Sequence, residues 1–151
     1  FATSPAEMSR LIERCVSENR PAVLGSRVEL LGHDVTRNGY RHYTGRIFAT
    51  IASLVLGFPV YDTQCGAKVF SNSAALRAAL EQPFLGRWSF DVELLGRLAA
   101  SHGHHGFLEV PLLSWHDIDG SKLTLTDSVR STLELGAVAK ALRAYRRKAT
   151  R

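Results

Sequence analysis

An α/β fold is predicted for this chain, and three observations carry the prediction. Met8, Leu11, Ile12, Cys15 and Val16 recur at helical spacing. Ala22-Val23-Leu24-Gly25 then forms a short apolar run of strand length. Helical lengths return over Tyr40 to Leu56 and Val92 to Ala100, before a strand pair near Phe107 to Trp115. The expected architecture is two or three strands with flanking helices, plus that pair.

Each element has a local cause. Ser4-Pro5-Ala6-Glu7 is a capping box with proline at the first helical position, so the first helix starts almost at once. Ala22 to Gly25 delivers Ser26 and Arg27 at a strand's carboxyl end, where open α/β sheets bind ligands. A loop through Gly32 to Gly39 leads to the helix from Tyr40, with Arg37, Arg41 and Arg46 at its entrance. Guanidinium groups there suit a phosphate by their fork geometry, or simply solvate a helix end. Ala74 to Leu80 is a short helix ended near Pro83, and Trp88-Ser89-Phe90-Asp91 enters the next one. From Thr126 to about Lys148, Val129, Leu133, Leu135, Val138, Leu142 and Tyr145 alternate with basic residues as an amphipathic helix.

At 151 residues the chain reads as one segment, 1–151, long enough to bury a core. Its formal charge is +5, concentrated in Lys140, Arg143, Arg146, Arg147, Lys148 and Arg151. Such an end suits an anionic partner, and it also complements a helix dipole. Cys15 and Cys65 make no disulfide framework and read as free thiols in a reducing compartment. No signal peptide pattern is visible, and the apolar run Ile47 to Val60 is too short to be read as a membrane span.

The densest chemistry lies in Asp62-Thr63-Gln64-Cys65-Gly66-Ala67-Lys68. Gly66 suits a turn or a close approach, and Asp62 with Lys68 makes an ordinary ion pair across it. Asp91 and Glu93 sit in the first turn of their helix, where the dipole favours carboxylates. His102, His104 and His105 bracket Gly103 at a spacing that argues weakly for metal. Asp117-Ile118-Asp119-Gly120 imitates an EF-hand start, but position twelve of that loop is Ser128, not glutamate.

Three stretches in order carry a resemblance: Asp62 to Lys68; Trp88-Ser89-Phe90-Asp91-Val92-Glu93-Leu94; and Glu109-Val110-Pro111 running to Trp115 and Gly120-Ser121-Lys122. Together, and with Gly25-Ser26-Arg27, they resemble the C-terminal half of a family 2 glycosyltransferase. The resemblance is closest to the dolichyl-phosphate (polyprenyl-phosphate) glucosyltransferases, then to the dolichyl-phosphate mannose synthases, and it covers Ser4 to about Arg143. Ala67 departs from it, since the family usually has phenylalanine there, and a looser pocket is expected beside it.

The resemblance implies the C-terminal half of a GT-A fold, with a short mixed sheet, flanking helices and a basic amphipathic C-terminal helix. It implies inverting transfer of a hexose, glucose above all, from a nucleotide sugar to a polyprenyl or dolichyl phosphate. Asp91 and Asp62 are the candidate catalytic residues. Arg27, Arg41, Gln64, Lys68, Trp88, Ser121 and Lys122 are the candidate substrate-binding residues. Because a phosphate acceptor is already ionised near neutral pH, Asp91 is expected to position it more than to deprotonate it.

A divalent metal, Mg or Mn, is expected with ligands mostly outside this segment, because the family's Asp-x-Asp precedes the first helix. The nucleotide-binding half is expected there too, so the isolated segment is expected to transfer no sugar. The implied partners are the two substrates and an anionic membrane surface, with a homo-oligomer left open and no nucleic acid. The implied place is the cytoplasm, peripheral to the membrane's cytoplasmic face. Two other classes stay open from the residues themselves. One is a basic module binding anionic lipid or nucleic acid without chemistry; the other is a fragment that completes its sheet with a partner chain.

Overall fold

The computed structural model describes residues 2–36, 39–116 and 125–149, with backbone alone at 36, 39–42, 125–129, 148 and 149. Helices α1 (Pro5–Ser17), α2 (Gly39–Leu56), α3 (Ala74–Glu81), α4 (Phe90–His102) and α5 (Leu125–Ala149) surround two small sheets. The strands are β1 (Ala22–Ser26), β2 (Asp34–Thr36), β3 (Lys68–Phe70), β4 (Phe107–Pro111) and β5 (Ser114–His116). A single 3-10 turn, His104–Gly106, links α4 to β4.

The first sheet has the order β3-β1-β4 and is mixed: β1 runs antiparallel to β3 and parallel to β4. The two strands expected as a pair within Phe107 to Trp115 do not pair with each other. Both strands exist, but β4 joins β1, whereas β5 pairs in parallel with β2, Val35 opposite Trp115. The expected loop from Gly32 to Gly39 conceals β2, which is three residues long and amphipathic in neither period. The second sheet continues the first, since Leu112 N donates to Ser26 O at 2.9 Å and Asp34 N to Leu113 O at 2.8 Å.

Side-chain alternation along β1 divides the core. Leu24 faces α2, α4 and α5 with Phe48, Ala52, Leu56, Val92, Leu95, Leu135, Val138 and Leu142. Val23 faces the other way, toward α1, with Leu11, Cys15, Cys65, Val110, Leu112 and Trp115. Every residue of β1 is buried, as a strand covered on both faces must be. Leu133, read as part of the apolar face of α5, is exposed instead.

Local caps hold the ends. Ser4 Oγ accepts from Glu7 N at 3.2 Å, half of the expected capping box. The Glu7 carboxylate turns away to accept from Leu113 N and Arg10, and Arg10 reaches Pro111 O at 2.6 Å. The cap thus also ties α1 to the end of β4. Ser4→Ala is expected to lower stability by about 1 kcal/mol, read as a shifted urea midpoint at unchanged slope. Arg146, counted in the basic end, donates to Leu56 O at 2.6 Å and satisfies an orphan carbonyl of α2. Among the described residues no helix is long and apolar enough to cross a membrane.

Candidate active site at the carboxyl edge of the parallel strands

The carboxyl ends of β1 and β4 and the amino end of β3 share one edge of the sheet. Arg27 follows β1, the Asp62–Ala67 loop precedes β3, and Glu109 lies in β4. The loop comes close because Gly25 has no side chain. Gly25 N donates to Ala67 O at 2.7 Å, and a Cβ on Gly25 would lie 3.0 Å from that oxygen. The close approach expected at Gly66 therefore belongs to Gly25. At Gly66 an added Cβ meets nothing within 4 Å.

Asp62 and Arg27 form a fork. Arg27 Nε donates to Oδ2 at 2.6 Å and Nη2 to Oδ1 at 2.8 Å, while Arg27 N also donates to Oδ2 at 3.1 Å. The guanidinium lies 5.1 Å from the Trp115 ring centroid, so β5 supports the pair from the second sheet. The Nε–Nη2 edge of Arg27, a candidate substrate-binding residue, is thereby committed to Asp62.

Lys68 does not pair with Asp62, contrary to the ion pair expected across the turn. Its Nζ lies 3.3 Å from Asp91 Oδ1 and donates to Cys65 O. An ammonium carries three N–H groups, and these partners take two. Both side chains of this pair are largely buried, at 8% and 13% exposure. Burial raises the Asp91 pKa; Lys68 pulls it back in part, and nearby Asp62 pushes it further up. Asp62 and Asp91 thus lie near enough for their charges to repel.

Gln64 Nε2 donates to Trp88 O at 3.0 Å, so Gln64 joins the loop to the entrance of α4. The Trp88 side chain remains exposed. From the far side Glu134 of α5 accepts from Trp88 N and Ser89 Oγ, both at 3.2 Å. Cys65 is fully buried, and burial pushes its thiol pKa up, which suits a packing role and not a nucleophile. Ala67 is 3% exposed within the core, so the looser pocket expected there is closed by its neighbours.

Glu93, two residues beyond Asp91, serves architecture. Its Oε1 pairs with Arg97 Nη2 at 2.5 Å and its Oε2 accepts from Leu85 N at 2.9 Å. Arg97 in turn donates to the carbonyls of Ala79, Gln82 and Pro83. Of the other candidates, Arg41 falls in the first turn of α2, but its side chain lies outside the described residues. Ser121, Lys122, Asp117 and Asp119 lie outside them altogether. His104 stacks on Phe58 at 5.5 Å, and among the described residues no group of three or more His, Cys, Asp or Glu is placed to hold a metal.

Sequence reasoning left Glu109 and Glu134 off the site. Glu109 was visible only as part of Glu-Val-Pro, and its partners are 47 and 48 residues away.

Curated proteins match much of the chain. A dolichyl-phosphate β-glucosyltransferase of Trichomonas vaginalis is 31% identical over 135 residues, 88% of this chain and 39% of that protein. The chain is a relative of the dolichyl-phosphate β-glucosyltransferases. The enzyme of that name from Saccharomyces cerevisiae is 34% identical over 122 residues, 77% of this chain and 35% of its own length. The one from Drosophila melanogaster is 36% identical over 106 residues, 67% of this chain and 30% of its own. The chain therefore spans well under half the length of these relatives. No protein-family model matches it, and no solved structure does.

Proposed function

We propose that this chain forms the acceptor side of a GT-A glycosyltransferase. The enzyme moves a hexose, glucose, from a nucleotide sugar to dolichyl phosphate at the cytoplasmic face of a membrane. The observation that carries the reading is the pair of partly buried carboxylate–cation couples, Arg27–Asp62 and Lys68–Asp91, at the sheet's ligand edge. In the reaction a phosphate oxygen bonds to the anomeric carbon as the nucleoside diphosphate leaves, with inversion. Lys68 offers charge to an incoming phosphate, while Asp91 holds Lys68 in place and orients the acceptor. Arg27 fixes Asp62 beside the transferred sugar, and Gln64 ties this loop to Trp88.

Among the described residues the carboxylates are committed to cations and amides and do not converge on a metal. The Mg or Mn of this reading has its ligands elsewhere, and no step here runs through it. Contact with a membrane is supported by Tyr43, Ile47 and Leu54, which share one exposed face of α2.

The test uses the full-length protein with a nucleotide glucose and dolichyl phosphate. Formation of a lipid-extractable glucosyl phosphate is expected. Salt-sensitive lipid binding without any donor-dependent product would favour a non-enzymatic module instead. In the same assay Arg41→Ala is expected to weaken use of the lipid phosphate by about 1.5–3 kcal/mol, roughly ten- to a hundredfold in kcat/KM. Use of the nucleotide sugar should hold. An unchanged acceptor KM and kcat would leave Arg41 as a solvated helix end.

A further inference from the structure

We propose that Glu109 is a positioning residue for the transfer site: its carboxylate clamps the backbone of Tyr61 and Asp62 and thereby sets the Asp62–Arg27 fork. This rests on the reading that the fork serves transfer. Tyr61 N donates to Glu109 Oε2 at 2.8 Å and Asp62 N to Oε1 at 2.7 Å, so each oxygen holds one of two consecutive amides. Charge-assisted bonds to successive amides fix both the position and the direction of that peptide. Asp62 leaves the clamp with its carboxylate already aimed at Arg27.

Glu109 belongs to β4, which pairs with β1 at Leu24, so the clamp is anchored in the sheet and not in another loop. The Asp62–Ala67 loop is held at its start by this side chain and at its end by Gly25 N on Ala67 O. On its other side Glu109 lines an open cleft of about 390 Å³ with Arg46, Thr50, Ser53 and Tyr61. Arg46 lies 4.0 Å from the centroid of the Tyr61 ring. Among the described residues the groups facing Glu109 are thus Tyr61 and Asp62 from the loop and Arg46 from α2. Burial raises the Glu109 pKa, and the two amides and Arg46 offset that in part while Asp62 adds to it. A protonated Glu109 keeps one good acceptor, as a glutamine would, and the clamp loosens.

The experiment is a kinetic cycle in the full-length protein with Glu109→Gln, Asp62→Asn and both together, each assayed with a nucleotide glucose and dolichyl phosphate. Glu109→Gln is expected to lower kcat about tenfold or more while the donor KM stays near the wild-type value. The double variant is expected to be no slower than Asp62→Asn alone, because the clamp acts through Asp62. Losses that multiply, or a Glu109→Gln enzyme with normal kcat, would overturn the positioning role while the transfer site stands. A harmless Asp62→Asn would overturn the site itself and the clamp's purpose with it.

Should Glu109→Gln not fold, the wild-type protein still decides. The amide proton shifts of Tyr61 and Asp62 are expected to titrate together, above the ordinary glutamate range. Amides that titrate separately, or not at all, would overturn the clamp.

Discussion

Asp91→Asn is expected to cut transfer by about a hundredfold or more, the scale of losing a positioned acid or base group, with a smaller effect on thermal stability than on transfer. Two effects oppose each other in the fold. Burial raises the Asp91 pKa despite the attraction of Lys68, so removing the charge relieves a desolvation cost. Asparagine keeps the shape but leaves Lys68 Nζ without its carboxylate, which offsets that relief.

The pH dependence follows in sign. A carboxyl whose folded pKa is raised binds its proton more readily folded than unfolded. Its contribution to stability therefore falls as pH rises from the ordinary aspartate range through the raised value. Asp91→Asn should flatten that part of the curve of Tm against pH. Near-native transfer by this variant would remove Asp91 from the site and leave Asp62 as its acid.

Glu93→Gln should do the reverse: lose stability and keep chemistry. The Glu93–Arg97 pair is more deeply buried, with side chains 2% and 6% exposed, and it organises three carbonyls between α3 and α4. Glutamine presents an amide N–H to one of the two donors that Glu93 now accepts. Breaking a buried pair from one side costs about 3–5 kcal/mol, which in a chain of this size is roughly 6–20 °C in Tm. Calorimetry reads the loss, and transfer per folded molecule at low temperature should stay near the wild-type value. A silent Glu93→Gln would contradict the buried network.

These neighbouring acids show what was legible. Helical spacing revealed α1, α2 and α4, and the apolar run revealed β1, because periodicity records which face is covered. The stretches carrying Asp62, Asp91 and Trp115 were all visible, and all gather around the Arg27–Asp62 and Lys68–Asp91 pairs. Pairing was not visible. Asp62 chose Arg27 over Lys68, three positions were not enough to tell β2 from a loop, and β5 took β2 as its partner. Each choice depends on contacts between residues far apart in the chain, which local pattern does not encode. The same reason separates Asp91 from Glu93. Both look like first-turn carboxylates, and only Arg97 with the carbonyls of Ala79, Gln82 and Pro83 distinguishes them.

The claim that most needs measuring is that Lys68 and Asp91 act as one unit in transfer. A double-mutant cycle in the full-length protein reads it, with initial rates for Lys68→Met, Asp91→Asn and the pair, and Tm recorded for each. Each single change is expected to slow transfer strongly, and the double variant should be no slower than the worse single one. Two independent losses that multiply, or singles that work at the wild-type rate, would contradict it.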